Sequence, residues 1–244
     1  MKITLLFAIL LALIGPAAAA AKNSKNSQVP VFNIYELKIK QGKSLFYDEV
    51  AKNNITTSLR NEKGTLAMYS IRQNAKANVA YMIEIYADNN AYQMHLNSPQ
   101  YKSFLLHSPD IIEAEGKRKI DVTPIFLGDK YILQDGKTIN NFVIVDVKPE
   151  FSQAFKDIVL AEMEQSLKVE DGVLAMYAVA DKNNSNRWYF YEIYASEAAY
   201  QIHRQTSHFQ DYLTQTAEMT SYKEAVSISP SLLMNKGGLK FKIP

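Results

Sequence analysis

Glu84 and Glu192 stand 108 residues apart, each in the middle of an apolar run, and each is followed eleven residues on by a histidine, His95 and His203. A carboxylate held among apolar neighbours loses solvation, its pKa rises, and it can act as a general base near neutral pH. Histidine titrates in the same range. Either pair, Glu84 with His95 or Glu192 with His203, has the residue types needed to take a proton from a weakly acidic group. The same residues also suit a structural role, the glutamate accepting hydrogen bonds from its own module's helix or from a tyrosine. Around them stand Tyr69, Tyr81, Tyr86, Tyr177, Trp188, Tyr189 and Tyr194. Such rings can line a flat pocket for an aromatic ligand, or pack one sheet against another.

Other chemistries are not indicated. His203 and His208 are five apart, do not share a helix face, and with Glu192 make a poor metal site. His107 has Gln215 as its counterpart, so it has no place in a duplicated mechanism. There is no Gly-rich phosphate loop, no Gly-x-Ser-x-Gly elbow and no His-Glu-x-x-His helix. No metal and no cofactor are therefore expected. The chain has no cysteine, which removes disulfides, thiolate ligands and cysteine nucleophiles together. Its 27 basic and 25 acidic residues leave a net charge of +2 and are scattered, so a nucleic-acid partner is not expected.

The elements that must position these residues are written twice. Residues 64–105 and 172–213 align without a gap, and 16 of those 42 positions are identical. Gly64-Thr-Leu-Ala-Met-Tyr69 answers Gly172-Val-Leu-Ala-Met-Tyr177, and Glu84-Ile-Tyr86-Ala answers Glu192-Ile-Tyr194-Ala. Ala91-Tyr-Gln-Met-His95 answers Ala199-Tyr-Gln-Ile-His203. Two copies of about a hundred residues are too long and too few for a solenoid, and indicate a duplicated domain. Tyr47, Ala51, Ile55 and Leu59 recur as Phe155, Val159, Met163 and Leu167, a four-residue period that marks one face of a helix.

Each copy reads strand, helix, strand, strand, helix, strand, the split βαβ order of a ferredoxin-like α+β module. Val31 to Ile39 alternates as a half-buried strand. Leu66–Ile71 pairs with Val79–Ala87 as a hairpin, and Leu174–Val179 with Arg187–Ala195. Helices begin at Asn89 and Glu197. Ser98 before Pro99, and Thr206 before Ser207, cap a second helical turn. Strands near Ile120–Leu127 and Val226–Leu233 are expected to close each module. In strand 79–87, Tyr81, Ile83 and Ile85 form the more apolar side and are expected under the helices. Glu84 would then point to the open face, as would Glu192 between Phe190 and Tyr194. Two open faces in one chain can cover each other.

At these residues the chain resembles the antibiotic biosynthesis monooxygenase family, the dimeric α/β-barrel group that includes small quinol monooxygenases. The pattern is Gly64, Glu84-Ile-Tyr86-Ala-Asp88, Ala91-Tyr-Gln-Met-His95 and Ser98-Pro-Gln-Tyr101. It recurs as Gly172, Glu192-Ile-Tyr194-Ala-Ser196, Ala199-Tyr-Gln-Ile-His203 and Ser207-His-Phe209. The resemblance implies two tandem modules forming an intrachain pseudo-dimer of the dimeric α/β-barrel kind. It also implies a cofactor-independent monooxygenase acting on a quinol or polyphenol by deprotonation and direct reaction with O₂. A non-catalytic binding protein for a hydrophobic aromatic or haem-like ligand is the alternative. Family members commonly carry Trp where Tyr86 and Tyr194 stand, and the single tryptophan, Trp188, lies opposite Ala80 in the other copy. The two pockets are therefore expected to differ.

The ends complete the reading. Lys2, the apolar Leu5 to Ile14 and Ala18-Ala19-Ala20 have the order of a secretory signal peptide over residues 1–20. A disordered leader (21–28), module 1 (29–128), a linker (129–137), module 2 (138–235) and a tail (236–244) follow. An exported, periplasmic or secreted protein is expected, soluble once cleaved, with a small aromatic substrate and O₂ as partners. Further homo-oligomerisation is left open.

Overall fold

The helical stripe beginning at Tyr47 lies on α1 (Ser44–Asn61), and its repeat beginning at Phe155 lies on α4 (Ser152–Val169). In this computed structural model, which describes residues 29–243, both stripes are packed against antiparallel sheet. The expected signal peptide and leader lie outside the described residues. In module 1, β1 (Val31–Ile39) leads through a turn at Gly42, whose φ of 74° favours glycine, into α1. The hairpin β2 (Thr65–Gln73) and β3 (Val79–Tyr86) follows, then α2 (Asn89–Leu96) and α3 (Pro99–Ile111). β4 (Ile112–Ile120) and β5 (Val122–Asp129) end the module. Module 2 repeats the order as β6 (Ile139–Val147), α4, β7 (Val173–Asp181), β8 (Arg187–Tyr194), α5 (Glu197–Gln205) and α6 (Ser207–Thr216). β9 (Thr220–Val226), β10 (Ile228–Asn235) and a short β11 (Lys240–Lys242) finish it.

The helix starts follow from their caps. Asp88 accepts a hydrogen bond from Ala91 N at 2.8 Å, and Ser196 from Ala199 N at 3.1 Å. Ser98 and Thr206 do the same for Tyr101 N and Phe209 N. Each carries extended backbone before the first turn. The break at Thr206 puts His203 and His208 on different helices.

The closing strands do not close their own modules. β4 pairs with β1 of module 1, but β5 crosses to pair with β7 of module 2. β9 pairs with β6, and β10 crosses back to β2. The orders are β10-β2-β3-β1-β4 and β11-β5-β7-β8-β6-β9. They form two antiparallel sheets of five and six strands, not closed into one barrel. The register slips beside Pro124 and Pro230, where a residue without an N–H cannot continue the ladder. The exchange covers the β2 and β7 edges, which would otherwise expose unpaired backbone. The segment 130–138 is likewise docked. Ile132 is buried in the core between the sheets, and its N–H donates to Asn235 Oδ1 at 2.9 Å.

The strand faces are the reverse of the expectation. Tyr81, Ile83 and Ile85, with Tyr189, Tyr191 and Ile193, enter the core between the two sheets. The opposite faces of β3 and β8, which carry Met82, Glu84 and Tyr86 and Phe190, Glu192 and Tyr194, lie under the helices. Every residue of β3 is buried, so both faces need cover. The more apolar one takes the core between the sheets, and the face with the glutamate takes the layer lined by helix side chains.

Candidate active site

Gly64 and Gly172 set the height of the helices over the glutamates. A Cβ on Gly64 would come 2.4 Å from Ala91 Cβ, and one on Gly172 2.5 Å from Ala199 Cβ. The glycines thus let α2 and α5 approach the strand starts, which explains the repeated Gly…Ala pair by contact distance. That approach brings His95 and His203 over the strands, their rings 5.3 Å from those of Tyr86 and Tyr194.

In module 1, Glu84 is 5% exposed and accepts from Tyr86 Oη at 3.0 Å. Burial pushes its carboxyl above the usual range, against the lowering effect of His95, Tyr86 and Lys117. His95 does not bond to it. His95 Nδ1 lies 3.0 Å from Glu62 Oε2 and 3.3 Å from Ser58 Oγ, and its buried Nε2 has no hydrogen-bond partner. The Gln100 amide donates to Ser58 Oγ at 3.1 Å and to Glu62.

Module 2 repeats this frame with different chemistry. Tyr194 Oη donates to Glu192 Oε2 at 2.9 Å. His203 Nδ1 lies 3.0 Å from Glu170 Oε1, and His208 Nε2, at the position of Gln100, lies 2.7 Å from the same oxygen. Burial works against ionisation of Glu170, yet its bonds to the two histidines hold its carboxyl below the usual range. Glu162 replaces Asn54 and accepts from Ser166 Oγ at 2.6 Å. Burial, with the charges of Glu192 and Glu170, pushes its carboxyl up to about 8.

The difference between the modules that matters for a ligand lies on the sheet. Across β4, β1 and β3 the row is Lys119, Tyr35, Met82, and across β9, β6 and β8 it is Ala225, Val143, Phe190. In module 1 the Tyr35 ring fills the space beside Glu84, its hydroxyl 3.1 Å from Tyr92 Oη and the Lys117 ammonium 4.8 Å from its centroid. In module 2 Val143 and Ala225 leave a cavity of about 130 Å³. Phe190, Tyr200, Phe209 and Tyr212 wall it, and Glu192, Glu162, Asn141 and Lys223 supply its polar groups.

Of the four expected catalytic residues, only Glu192 lines this cavity. Glu84 bonds Tyr86 and Glu192 bonds Tyr194, and neither is hydrogen-bonded to the histidine of its own module. Each histidine is held by a glutamate at the end of the preceding helix. The seven expected aromatics do not converge. Tyr69, Tyr81, Tyr177 and Tyr189 fill the core between the sheets, on the far face from the glutamates. Tyr86 and Tyr194 brace the glutamates, and Trp188 packs on Phe155 at 5.5 Å and Phe190 at 5.9 Å.

Both copies match the sequence profile of the antibiotic biosynthesis monooxygenases, over residues 30–105 and 140–215. The chain belongs to that family. Two crystal structures share its tandem architecture, each with a TM-score of 0.83. One is a proposed monooxygenase of Fusobacterium nucleatum, 28% identical over 89% of this chain and 99% of its own. The other is a proposed monooxygenase of Lactobacillus acidophilus, 27% identical over 88% of this chain and 100% of its own. No protein of curated function matches the chain in sequence. Family and neighbours together support a monooxygenase-like role for this member of the antibiotic biosynthesis monooxygenases.

Proposed function

We propose that module 2 holds the working site, and that it oxygenates a single-ring hydroquinone without an organic cofactor. The observation that carries this reading is the walled cavity with Glu192 in it, set against its filled counterpart in module 1. A dry cavity of roughly 150 Å³ holds one benzene ring, so about 130 Å³ suits one ring and not a fused polycycle. Glu192 accepts the phenolic proton, and Lys223 offsets the charge of the anion. The electron-rich ring reduces O₂ directly, forming a C–O bond to a peroxide. The proton returns to the distal oxygen, and loss of the ring hydrogen from the newly oxygenated carbon together with cleavage of the O–O bond releases water. One oxygen atom stays on the ring, and hydroquinone plus O₂ becomes hydroxyquinone plus water.

The apolar segment Leu5 to Ile14 before Ala18-Ala19-Ala20 supports export as part of the same reading, with the reaction in the periplasm or outside the cell. Among the described residues no helix is long and apolar enough to cross a membrane. The test is oxygen uptake by the chain from residue 22 on a panel of hydroquinones, with Glu192→Gln beside it. Uptake above autoxidation that falls roughly 100-fold or more in the variant, the scale of a lost general base, supports the reading. Hydroquinones that raise the melting temperature without any uptake would make the cavity a binding site and not a reaction site.

A further inference from the structure

We infer that Glu162, His203 and His208 form a binding site for one divalent transition-metal cation at the outer wall of the module 2 cavity. One ligand atom from each of the three lies within 4.8 Å of the other two. Glu162 comes from α4, His203 from α5 and His208 from α6. The five-residue spacing that argued against a shared helix face is irrelevant, because Thr206 breaks the helix between the histidines.

A second observation points into the site. His203 is 1% exposed and its Nε2 makes no hydrogen bond, although Glu162 Oε1 lies 3.8 Å away. A carboxylate can only accept, so His203 Nδ1–H donates to Glu170, and Nε2 is the ring nitrogen left unpartnered on the side of Glu162. His208 Nε2 also bonds Glu170. One carboxylate thus orients both imidazoles, the arrangement that holds metal-ligating histidines in place. Two imidazoles and a carboxylate suit Zn²⁺, Co²⁺ or Ni²⁺ better than Mg²⁺ or Ca²⁺, which take oxygen sets.

Module 1 supplies an internal comparison. Its corresponding residues are Asn54, His95 and Gln100, and the Gln100 amide donates to Ser58 and Glu62. It retains the histidine and the orienting glutamate but neither of the other two ligands. The cation would tie α4 to α5 and α6 over the cavity. The inference does not depend on the oxygenase reading, and its test needs no substrate.

The test is calorimetric titration of the chelator-treated chain with Zn²⁺, with Co²⁺ visible absorption as the spectroscopic readout. The expected result is one equivalent per chain, a Zn²⁺-dependent rise in melting temperature, and a Co²⁺ band of a nitrogen–oxygen set. His208→Gln copies a residue the fold accepts in module 1, and it should lose the site by more than 100-fold in affinity. Glu170→Gln should weaken it roughly 10–100-fold. Absence of binding at millimolar Zn²⁺, or unchanged affinity in His208→Gln, would overturn the inference.

Discussion

Tyr69 and Tyr177, the same position in the two repeats, hydrogen-bond to each other at 2.7 Å in the core between the sheets. Tyr177 Oη also donates to Asp129 Oδ2 at 2.7 Å, so its single proton is used there and Tyr69 is the donor within the tyrosine pair. Identical residues 108 apart can meet in this way only near the pseudo-twofold axis relating the modules. The pair therefore marks that axis, and it gives unequal roles to residues that the repeat makes equal.

That inequality has a measurable consequence. Tyr177→Phe removes the donor to the buried Asp129, whose carboxyl burial already pushes up, and leaves the Tyr69 hydroxyl without its acceptor. A cost of roughly 1–3 kcal/mol per orphaned buried group is expected. Tyr69→Phe leaves the Asp129 bond intact and should cost about 1 kcal/mol. Urea unfolding of both variants compares them, and equal losses would contradict the assigned donor order.

The close approach of Gly172 to Ala199 predicts a compensating pair. Gly172→Ala places a methyl 2.5 Å from Ala199 Cβ and should destabilise by roughly 1–3 kcal/mol, the usual cost of overpacking. Adding Ala199→Gly should recover part of that loss, giving a coupling well above the scatter of independent sites. Thermal unfolding of the two singles and the double measures it. Strict additivity would show that the helix height is set elsewhere.

Glu84 predicts a pH dependence. Its folded pKa is raised by burial from 4.5, so its contribution to stability is fully present below the unfolded value and is lost as pH rises through the folded one. Within that window the native state loses up to about 1.4 kcal/mol per pH unit for one proton. Glu84→Gln still accepts from Tyr86 and carries no charge. Its melting temperature should gain on the parent's as pH rises from about 4.5, the ordinary value of a glutamate carboxyl. A Glu84→Gln melting temperature that falls relative to the parent's with rising pH would contradict the raised pKa.

Much of this architecture can be read from the sequence. The helix stripes, both hairpins and the capping residues Ser98 and Thr206 lie where period and residue type put them. Alternation along β3 identified two faces but not which one faces the helices, because both are buried and the glutamate alone breaks the symmetry. The strand exchange left no local mark beyond Pro124 and Pro230, since pairing partners are chosen by tertiary packing. Glu62 and Glu170, which hold the histidines, were missed because they lie just before the ungapped repeat, at the helix ends. Their shared offset of 108, with that of Ser58 and Ser166, was the available signal. Val143 against Tyr35 was equally visible as a difference, but its meaning depended on knowing that both face the helix layer.

The most direct test of the central claim is oxygen uptake on single-ring hydroquinones by Val143→Tyr beside the parent chain. The substitution copies Tyr35 of module 1, and Tyr200, the counterpart of Tyr92, stands ready to meet the new hydroxyl, so the fold should persist. The cavity should close and uptake should fall to the autoxidation rate, with the melting temperature close to that of the parent. Undiminished uptake in a folded Val143→Tyr protein would contradict the assignment of the chemistry to module 2.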